Sequence, residues 1–307
     1  ETQVYSEIDI VDTQGPVIEK TVVGPQIGDC PPKEKGDICF IDGVTEIHVD
    51  AVDPEPHPVN EVVCEWSYEV FGNEGGDQGI EETLPFVINF PEESEHVLTI
   101  VCEDALGNPT SDVEIFFVDK TPPGISKDYE GPYLEGGEEA WWAKWINSQT
   151  NILVSVTDDG PHKSGIAEVK YRVIGPLDDE ECKYYYRDKR EETYDCDAVD
   201  ASEEAWTIVD PEDFSEFEFN IDEDSCHLIE IMATDNVDKC SLHKQWVYVD
   251  NQGPIPIKTV EEPKDKWTPG ENGDPLSIFY PEETANCWTG EELSLIHISE
   301  PTRPLYI

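Results

Sequence analysis

The sequence has no hydrophobic run long enough to cross a bilayer, and it has few basic residues. Its apolar stretches all fall short of the roughly 18 residues that a membrane-spanning helix needs. Only 19 Lys and Arg residues oppose 70 Asp and Glu residues, so the formal net charge is −51 at pH 7. A chain of this charge repels phosphate groups. We therefore expect no nucleic-acid partner and no membrane insertion in this segment.

Catalytic motifs are also missing. The sequence contains no G-x-S-x-G elbow, no H-E-x-x-H zinc motif and no phosphate-binding loop. Carboxylate pairs occur throughout so acidic a chain and therefore carry no information about glycoside hydrolysis. Asn108 is followed by Pro109, which removes the only glycosylation sequon. We expect a protein that is not an enzyme and that carries no N-linked glycan.

None of the nine cysteines belongs to a C-x-x-C pair. This absence argues against zinc ribbons, dithiol redox sites and c-type haem attachment. Disulfide bonds in an oxidising compartment are the simpler interpretation, and they predict an extracellular protein.

A phrase of Val-Asp followed by proline occurs three times and divides the chain into repeats. Aligning the copies places Asp12, Asp119 and Asp250 in register. The spacing predicts two complete units, 13–119 and 120–250.

The remaining segments are expected to be fragments of further units. Residues 1–12 are expected to form a last strand without its domain, and residues 251–293 an incomplete third domain. The second complete unit carries an insertion over 176–205. Residues 294–307 resemble translated sequencing-adapter read-through, and the alternative is an ordinary closing strand.

The segments between turns are typical of β-strands. They are short, rich in Val, Ile, Tyr and Trp, and they alternate between apolar and polar residues, while Gly, Pro and Asp clusters separate them. This pattern predicts an all-β chain of tandem immunoglobulin-like antiparallel β-sandwiches.

Two disulfides follow from the strand pattern. Cys64 and Cys102 fall on the apolar faces of their strands, where the second unit aligns Ala167 and Ala233. Because the second unit has alanine in place of both cysteines, we expect Cys64 and Cys102 to be bonded to each other across the core. Cys30 and Cys39 bracket the loop between the first two strands and are expected to pair.

The later cysteines are less constrained. Cys182 and Cys196 lie in the insertion and are predicted disulfide residues, placed at the same end of the sandwich as Cys226. Cys226 and Cys240 lie at opposite ends of one strand. Because a strand rises ~3.3 Å per residue, the two cysteines are too far apart to form a disulfide with each other. The partners of Cys226, Cys240 and Cys287 stay open.

Several of these motifs resemble the immunoglobulin-like repeats of microbial, often archaeal, cell-surface and extracellular filament proteins. The motifs are W-I-x-S-x-T beginning at Trp145, T-D-D-G-P-H-K-S-G beginning at Thr157, and C-E-D-A-L-G-N beginning at Cys102. The resemblance implies an exported structural or adhesive protein without catalytic activity. The second unit departs from the usual Gly-Asn turn, because it carries Asp238 and Lys239 there.

Acidic residues gather where units are expected to meet. In such a sandwich the loops after the second and sixth strands lie at the end where the chain enters. Oxygen ligands from three segments suit Ca²⁺, and the alternative is that every loop of so acidic a chain is acidic. The predicted cofactor is therefore either none or Ca²⁺ at the junctions, with Asp119 approaching Asp158, Asp159 and Asp235, and Asp12 facing Asp50, Asp53 and Asp104.

Four histidines recur in pairs. His57 and His162 lie in equivalent turns beside these acids, and His96 and His227 begin equivalent strands. A structural, hydrogen-bonded role is the default for each of them.

Three groups of residues are candidates for contacts with partners. Trp141 and Trp142 could stack on sugar rings or pack against a neighbour. The insertion places basic and aromatic residues together in an otherwise acidic chain, which favours a contact with another copy, although a solvated loop is the alternative. The predicted interface residues are Tyr5, Ile8 and Ile10 in the first strand and Lys183, Tyr184, Tyr185, Tyr186, Arg187 and Arg190 in the insertion.

These patterns predict a structural subunit of an extracellular filament or surface array. If the strand at residues 1–12 completes the unfinished domain of another copy, a homopolymer results by donor-strand exchange. The alternative is a glycan-binding or adhesive segment of a large cell-surface protein.

Overall fold

The structure is a computed structural model that describes residues 7, 9–34, 36–54, 61–71, 75–135, 144–177, 192–194, 196–199, 202–259 and 297–299. The described residues fall into two compact units. The first unit ends at Asp250 and contains both of the sandwiches described below, and the second unit begins at Asn251. No helix within the described ranges is long and apolar enough to span a membrane.

The first sandwich is built from two facing sheets. Its strands are β1 (Val17–Val23), β2 (Gln26–Gly28), β3 (Cys39–Ile41), β4 (Glu46–Val52), β5 (Val62–Val70), β6 (Gly76–Glu81), β7 (Phe86–Ile88), β8 (Glu95–Asp104) and β9 (Pro109–Val118). One sheet has the order β1-β4-β7, and the other has the order β2-β3-β9-β8-β5-β6. The pairing of β3 with β9 is parallel, and the other pairings are antiparallel.

The second sandwich repeats this arrangement. Its strands are β10 (Gly124–Glu130), β11 (Tyr133–Glu135), β12 (Lys144–Ile146), β13 (Asn151–Thr157), β14 (Ile166–Leu177), β15 (Glu192–Tyr194), β16 (Thr207–Ile208), β17 (Glu216–Phe219), β18 (Ser225–Asp235) and β19 (Cys240–Val249). The sheets have the orders β10-β13-β17 and β11-β12-β19-β18-β14-β16, and β15 also pairs with β19.

The strand order identifies both sandwiches as immunoglobulin-like, which confirms the predicted fold class. The first, second and fifth main strands form one sheet, and the third, sixth and seventh form the other, as in that fold. Each sandwich encloses its own apolar core, centred on residues such as Ile47 and Ile100 in the first and Ile152 and Ile231 in the second. The domain limits at 119 and 250 stay a prediction.

Alternation along the strands explains why these segments form sheets. In β8, His96, Leu98, Ile100, Cys102 and Asp104 are buried, while the intervening side chains are partly or fully exposed. Successive side chains of a strand point to opposite faces, so this pattern turns one face of β8 toward the core.

Two predicted disulfides are present, Cys30–Cys39 and Cys64–Cys102. Cys64 and Cys102 lie directly opposite each other on the adjacent strands β5 and β8 of one sheet. The bond therefore joins two strands of the same sheet, and the prediction that it crosses the core is wrong. Both sulfur atoms lie on the inward face of that sheet, and both residues are fully buried.

The alignment of Cys64 with Ala167 is also wrong. In the second sandwich Ala233 matches Cys102, and its partner across the strands is Val169. A β-bulge at the start of β14 shifts the register, and Ala167 is exposed. The disulfide is thus replaced by Val169 and Ala233.

Cys196 bonds to Cys240, so its predicted position at the Cys226 end of the sandwich is wrong. Strand β15 runs antiparallel along β19, with Tyr194 opposite Leu242, and this pairing carries the insertion toward Cys240. Cys226 belongs to a different disulfide, as expected from its distance to Cys240. Cys182 lies outside the described residues.

The segments at either end are described in part. Glu7 and residues 9–12 belong to no strand in the described part of the chain, and Ile10 is 67% exposed and Val11 75% exposed. In the second compact unit, β20 (Ile257–Thr259) pairs with β21 (His297–Ser299). The origin of residues 294–307 stays a prediction.

Candidate cation sites at the sandwich junctions

Three carboxylates meet where the first sandwich joins the second. Asp119 directly follows the last strand of the first sandwich, Asp158 follows β13, and Asp235 ends β18. One carboxylate oxygen from each lies within 4.8 Å of the others. We call these three residues the second carboxylate cluster. It contains three of the four acidic residues that the sequence predicted for this junction.

Backbone amides hold the second carboxylate cluster in place. Asp119 Oδ1 accepts a hydrogen bond from Thr121 N at 3.3 Å, and its Oδ2 accepts one from Ser164 N at 2.8 Å. Asp235 Oδ1 accepts hydrogen bonds from Val237 N at 2.9 Å and Lys239 N at 2.8 Å. The linker and the turn after β18 therefore orient two of the three carboxylates.

One oxygen of Asp235 is buried without a hydrogen-bond partner. Asp235 is 0% exposed, and its Oδ2 accepts no hydrogen bond. Asp158 Oδ1 is in the same situation, although Asp158 Oδ2 accepts a hydrogen bond from Gly165 N at 2.5 Å. An unsatisfied buried carboxylate oxygen is strongly unfavourable. These two oxygens are suited to bind a cation.

The electrostatics of the cluster agree with that interpretation. Burial raises the pKa of Asp235 to about 6, and the charges of Asp119 and Asp158 add to the effect. Burial likewise raises the pKa of Asp158, with contributions from Asp119 and Asp159. Carboxylates forced together in this way repel each other unless a proton or a cation intervenes.

The same arrangement occurs at the entrance to the first sandwich. Asp12, Asp53 and Asp104 bring one carboxylate oxygen each within 4.8 Å of the others. We call these residues the first carboxylate cluster. Asp12 Oδ1 accepts a hydrogen bond from Gln14 N at 3.0 Å, which matches the Asp119–Thr121 contact of the second cluster.

The two clusters differ at one side chain. Asn108 Nδ2 donates a hydrogen bond to Asp104 Oδ2 at 2.8 Å. Burial alone would raise the pKa of Asp104, but hydrogen bonds from Asn108, Leu106 and Gly107 outweigh it, and the pKa is lowered. The first cluster is therefore already partly neutralised by its own turn.

In the second sandwich Lys239 takes the position of Asn108. Its ammonium group forms an ion pair with Asp42 Oδ1 of the first sandwich at 2.6 Å. Asp238 adopts a left-handed backbone with φ 63°, where the first sandwich has Gly107 with φ 89°. The departure from the Gly-Asn turn thus preserves the turn and adds a link between the sandwiches.

Asp50 and Asp159, which were also predicted to bind a cation, do not belong to either cluster. Asp50 lies on the exposed face of β4, because its inward neighbours are Val49 and Ala51. Asp159 is exposed and accepts a hydrogen bond from Thr157 Oγ1 at 3.0 Å.

The linker between the sandwiches is fixed by several further contacts. Asp119 N donates to Ile41 O at 3.0 Å, and the equivalent Asp250 N donates to Ile146 O at 2.9 Å. Thr121 Oγ1 donates to the carboxylate of Glu93 at 2.7 and 2.8 Å. The chain therefore leaves both sandwiches through the same backbone hydrogen bond, at Asp119 in the first and at Asp250 in the second.

The paired histidines of the strands are structural. His96 Nε2 lies 3.0 Å from Glu92 O, and His227 Nε2 lies 2.9 Å from Glu223 O. Both rings are buried. His162 contacts the ring of Phe117, with 5.7 Å between ring centroids, and His57 lies outside the described residues.

The candidate partner-binding residues are mostly outside the described residues. This holds for Trp141 and Trp142, for the insertion residues Lys183, Tyr184, Tyr185, Tyr186, Arg187 and Arg190, and for Tyr5 and Ile8. Ile10 is described and exposed. The glycan-binding and interface hypotheses stay predictions.

A buried ion cluster lies on the outer face of the second sandwich, and no sequence pattern predicts it. Glu230 Oε2 lies 2.6 Å from Arg172 Nη2, and Glu230 Oε1 lies 3.1 Å from Lys244 Nζ. The Arg172 guanidinium also lies 4.6 Å from the ring centroid of Trp206. All three charged residues are buried. Two described insertion residues contact them, because Arg172 Nη1 donates to Glu204 O at 3.4 Å and Lys244 Nζ donates to Ala198 O. Strand alternation predicts that this sheet face is exposed.

No protein-family model and no curated protein matches the sequence. Among solved structures, the FN1–FN3 domains of chicken CNTN1 are similar at 9% identity and a TM-score of 0.28, over 68% of this chain and 64% of that one. The match therefore covers less than two thirds of the chicken chain.

Two further similar structures are bacterial. The fibronectin(III)-like modules of Clostridium thermocellum CbhA match with 14% identity and a TM-score of 0.30, over 73% of this chain and 93% of that one. A 1.5-MDa bacterial ice-binding adhesin matches with 9% identity and a TM-score of 0.33, over 81% of this chain and 70% of that one. The strand order of the two sandwiches carries the fold assignment.

Proposed function

We propose that this chain is a structural segment of an extracellular surface protein or filament, in which a calcium ion stiffens each junction between sandwiches. The observation that carries the proposal is the repetition of one three-carboxylate cluster in the same place in both sandwiches. Each cluster combines the linker that enters a sandwich with two loops of that sandwich. An ion bound there joins three segments of the chain at the point where bending would occur.

The donor set selects the type of metal. Each cluster offers carboxylate oxygens from three residues, and hard cations such as Ca²⁺ prefer oxygen ligands. Two oxygens that are both about 2.4 Å from one ion are at most about 4.8 Å apart, which is the separation that both clusters satisfy. Backbone carbonyls and water would complete the coordination to six to eight ligands.

Extracellular localisation is supported by the disulfides. Three are described in full, Cys30–Cys39, Cys64–Cys102 and Cys196–Cys240. Such bonds persist in oxidising compartments outside the cytosol, where calcium is also abundant. We also propose that the chain is not an enzyme and has no nucleic-acid partner.

Small-angle X-ray scattering of the full chain tests the stiffening. We expect a narrower distribution of maximum dimensions with millimolar calcium than with a chelator. Asp158→Asn should remove much of this difference, whereas Asp159→Asn, which changes an exposed neighbour outside the cluster, should keep it. Identical scattering with and without calcium in the wild-type chain would contradict the proposal.

Assembly through residues 1–12, which would become a strand only in the sheet of another copy, is part of the same proposal. The exposure of Ile10 and Val11 supports it, because apolar side chains of a donor strand become buried only in the sheet of another copy. Deleting residues 1–11, which keeps the cluster residue Asp12, should leave both sandwiches folded, as measured by circular dichroism, and abolish polymers in negative-stain images. Polymers of the truncated chain would rule out strand donation while leaving the calcium proposal intact.

A further inference from the structure

A lysine and two carboxylates meet between the two sheets of the first sandwich. Lys20 lies in β1, and Asp112 and Glu114 lie in β9. Lys20 Nζ is in direct contact with both Asp112 Oδ2 and Glu114 Oε1. The side chains of Lys20 and Glu114 are only 5% and 8% exposed, and that of Asp112 is 33% exposed.

These contacts join the first and last main strands across the sheets. Strand β1 pairs with β4 in one sheet, while β9 pairs with β8 and β3 in the other. Asp112 and Glu114 are two residues apart on one strand, so their side chains share a face. A covalent bond here would connect the two sheets directly, which no backbone pairing in the described part of this sandwich does.

Glu114 has the properties of a proton carrier. Its Oε2 is buried and accepts no hydrogen bond. Burial raises the pKa of Glu114, Lys20 opposes this rise, and the charge of Asp112 adds to it. A carboxyl group with a raised pKa in a buried site can donate a proton and take it back.

We propose that Lys20 Nζ and Asp112 Cγ form an intramolecular amide bond, with Glu114 as the proton shuttle. The pair begins as ammonium and carboxylate. Transfer of one proton from Lys20 to Asp112 gives a neutral amine and a carboxylic acid, which a desolvated site favours over the separated charges. The amine nitrogen can then attack Cγ.

The reaction balances with loss of one water. As the N–Cγ bond forms, Glu114 donates its proton to the carbonyl oxygen of Asp112 and accepts a proton from the nitrogen. In the second stage one hydroxyl group of the tetrahedral carbon takes a proton through Glu114 and leaves as water, which breaks that C–O bond. The other hydroxyl group loses its proton, and Glu114 ends protonated as it began, so nothing is oxidised or reduced.

The geometry supplies what an unaided amine and acid lack in water. Groups held in contact react as if present at effective concentrations on the order of 10⁵–10⁸ M. Asp112 is the acceptor because its partial exposure lets the water depart, whereas the more deeply buried Glu114 retains its proton.

The second sandwich provides an internal control. Lys127 occupies the position of Lys20, because Lys20 lies opposite Val49 and Lys127 lies opposite the equivalent Val154. Lys127 Nζ lies 3.1 Å from Tyr129 Oη. The lysine is therefore present in both sandwiches.

The carboxylates are absent from the equivalent positions. His243 stands where the first sandwich has Asp112, and Gln245 stands where it has Glu114, as the pairings with β18 and β8 show. Tyr129 Oη donates to Gln245 Oε1 at 2.5 Å. Neither His243 nor Gln245 is a carboxylic acid, so the reaction between Lys20 and Asp112 has no counterpart at these two positions.

Peptide mapping of the reduced full chain by mass spectrometry tests the proposal. We expect the Lys20 and Asp112 peptides to be joined, with a mass one water below their sum, and we expect trypsin not to cut after Lys20. The Lys127 peptide should be unlinked. Intact mass alone is insufficient, because cyclisation of the N-terminal Glu1 also releases one water.

Variants locate the reaction. Lys20→Arg and Asp112→Ala should abolish the joined peptide, Glu114→Gln should leave most molecules unlinked, and Lys127→Arg should change nothing. Two separate peptides with normal cleavage after Lys20 in the wild-type chain would show that the contact is only an ion pair. Fragment ions that place the bond on Glu114 would overturn the assignment of Asp112 as acceptor.

Discussion

Asp104 and Asp235 occupy the same position in two copies of one turn. In each, Oδ1 accepts hydrogen bonds from the backbone amides two and four residues later, at 2.8 and 3.0 Å for Asp104 and at 2.9 and 2.8 Å for Asp235. The two residues differ at Oδ2, which Asn108 binds in the first copy and which has no hydrogen-bond partner in the second. One turn thus presents carboxylates of different basicity at two otherwise equivalent sites.

The first prediction concerns ligand identity in the second carboxylate cluster. Asp158→Asn removes one charge and leaves a side chain of the same shape, so we expect calcium affinity at this site to fall at least about tenfold, or about 1.4 kcal/mol. Thermal unfolding should show it, because an ion at about one hundred times its Kd adds about 2.7 kcal/mol to stability. Asp159→Asn should retain the full calcium-dependent shift of Tm, and equal loss in both variants would show that bulk charge is responsible.

The second prediction is a pH dependence. Burial raises the pKa of Asp235 from its ordinary value of 3.8 to about 6 in the folded protein, so the folded carboxyl group binds a proton more tightly. Calcium requires the ionised form, and its affinity for this cluster should therefore fall as the pH decreases through about 6, with release of protons on binding. In calcium-free protein the same group should destabilise the fold above pH 6 and cease to do so as the pH falls toward 3.8.

Calorimetric titration at pH 5.5 and 7.5 measures this effect, and buffers of different ionisation enthalpy report the released protons. The first cluster is the matched control, because the pKa of Asp104 is lowered and not raised. If both clusters lost calcium together near pH 6, the buried oxygen of Asp235 would not be the cause.

The third prediction concerns Lys239, whose backbone amide donates to Asp235 Oδ1 and whose side chain forms an ion pair with Asp42. Lys239→Asn installs the residue found at the equivalent position of the first sandwich. We expect the new amide to bind Asp235 Oδ2 and lower its pKa, while the ion pair with Asp42 is lost. Calcium affinity should become less sensitive to pH between 5.5 and 7.5. Lys239→Ala should remove the ion pair without that change in pH dependence, and identical behaviour of the two variants would contradict the account.

The fourth prediction concerns the Cys64–Cys102 disulfide. Replacing Cys64 by Val and Cys102 by Ala reproduces the pair found in the second sandwich. The bond closes a loop with a sequence separation of 38, and its loss should lower the free energy of unfolding by about 3–4 kcal/mol. Hydrogen exchange of the β5 and β8 amides measures this locally, with the amides of β14 and β18 as the control. Unchanged protection in β5 and β8 would show that the loop is held by packing alone.

The carboxylate clusters could be predicted from the sequence because the repeated phrase fixes the register of Asp12 and Asp119. Once the fold is known, the loops that end the second and sixth strands must lie at the entrance of each sandwich. Sequence alone did not exclude Asp50 and Asp159, since a shift of one residue in a strand or turn reverses the direction of a side chain.

The Cys196–Cys240 disulfide, the burial of Glu230 and the Lys20–Asp112 contact depend on contacts between segments that are far apart in the sequence. Cys196 reaches Cys240 because residues 192–194 pair along β19, and no local pattern in the insertion indicates that pairing. Glu230 is buried, and its partners Arg172 and Lys244 contact Glu204 and Ala198 of the insertion. Lys20 and Asp112 are ordinary charged residues in the sequence, and only the approach of β1 to β9 between the sheets brings them into contact.

Anomalous diffraction from crystals grown with calcium tests the central claim most directly. The account predicts one anomalous difference peak among the carboxylates of Asp12, Asp53 and Asp104, and another among those of Asp119, Asp158 and Asp235. Crystals that contain millimolar calcium and show no peak at either cluster would contradict it.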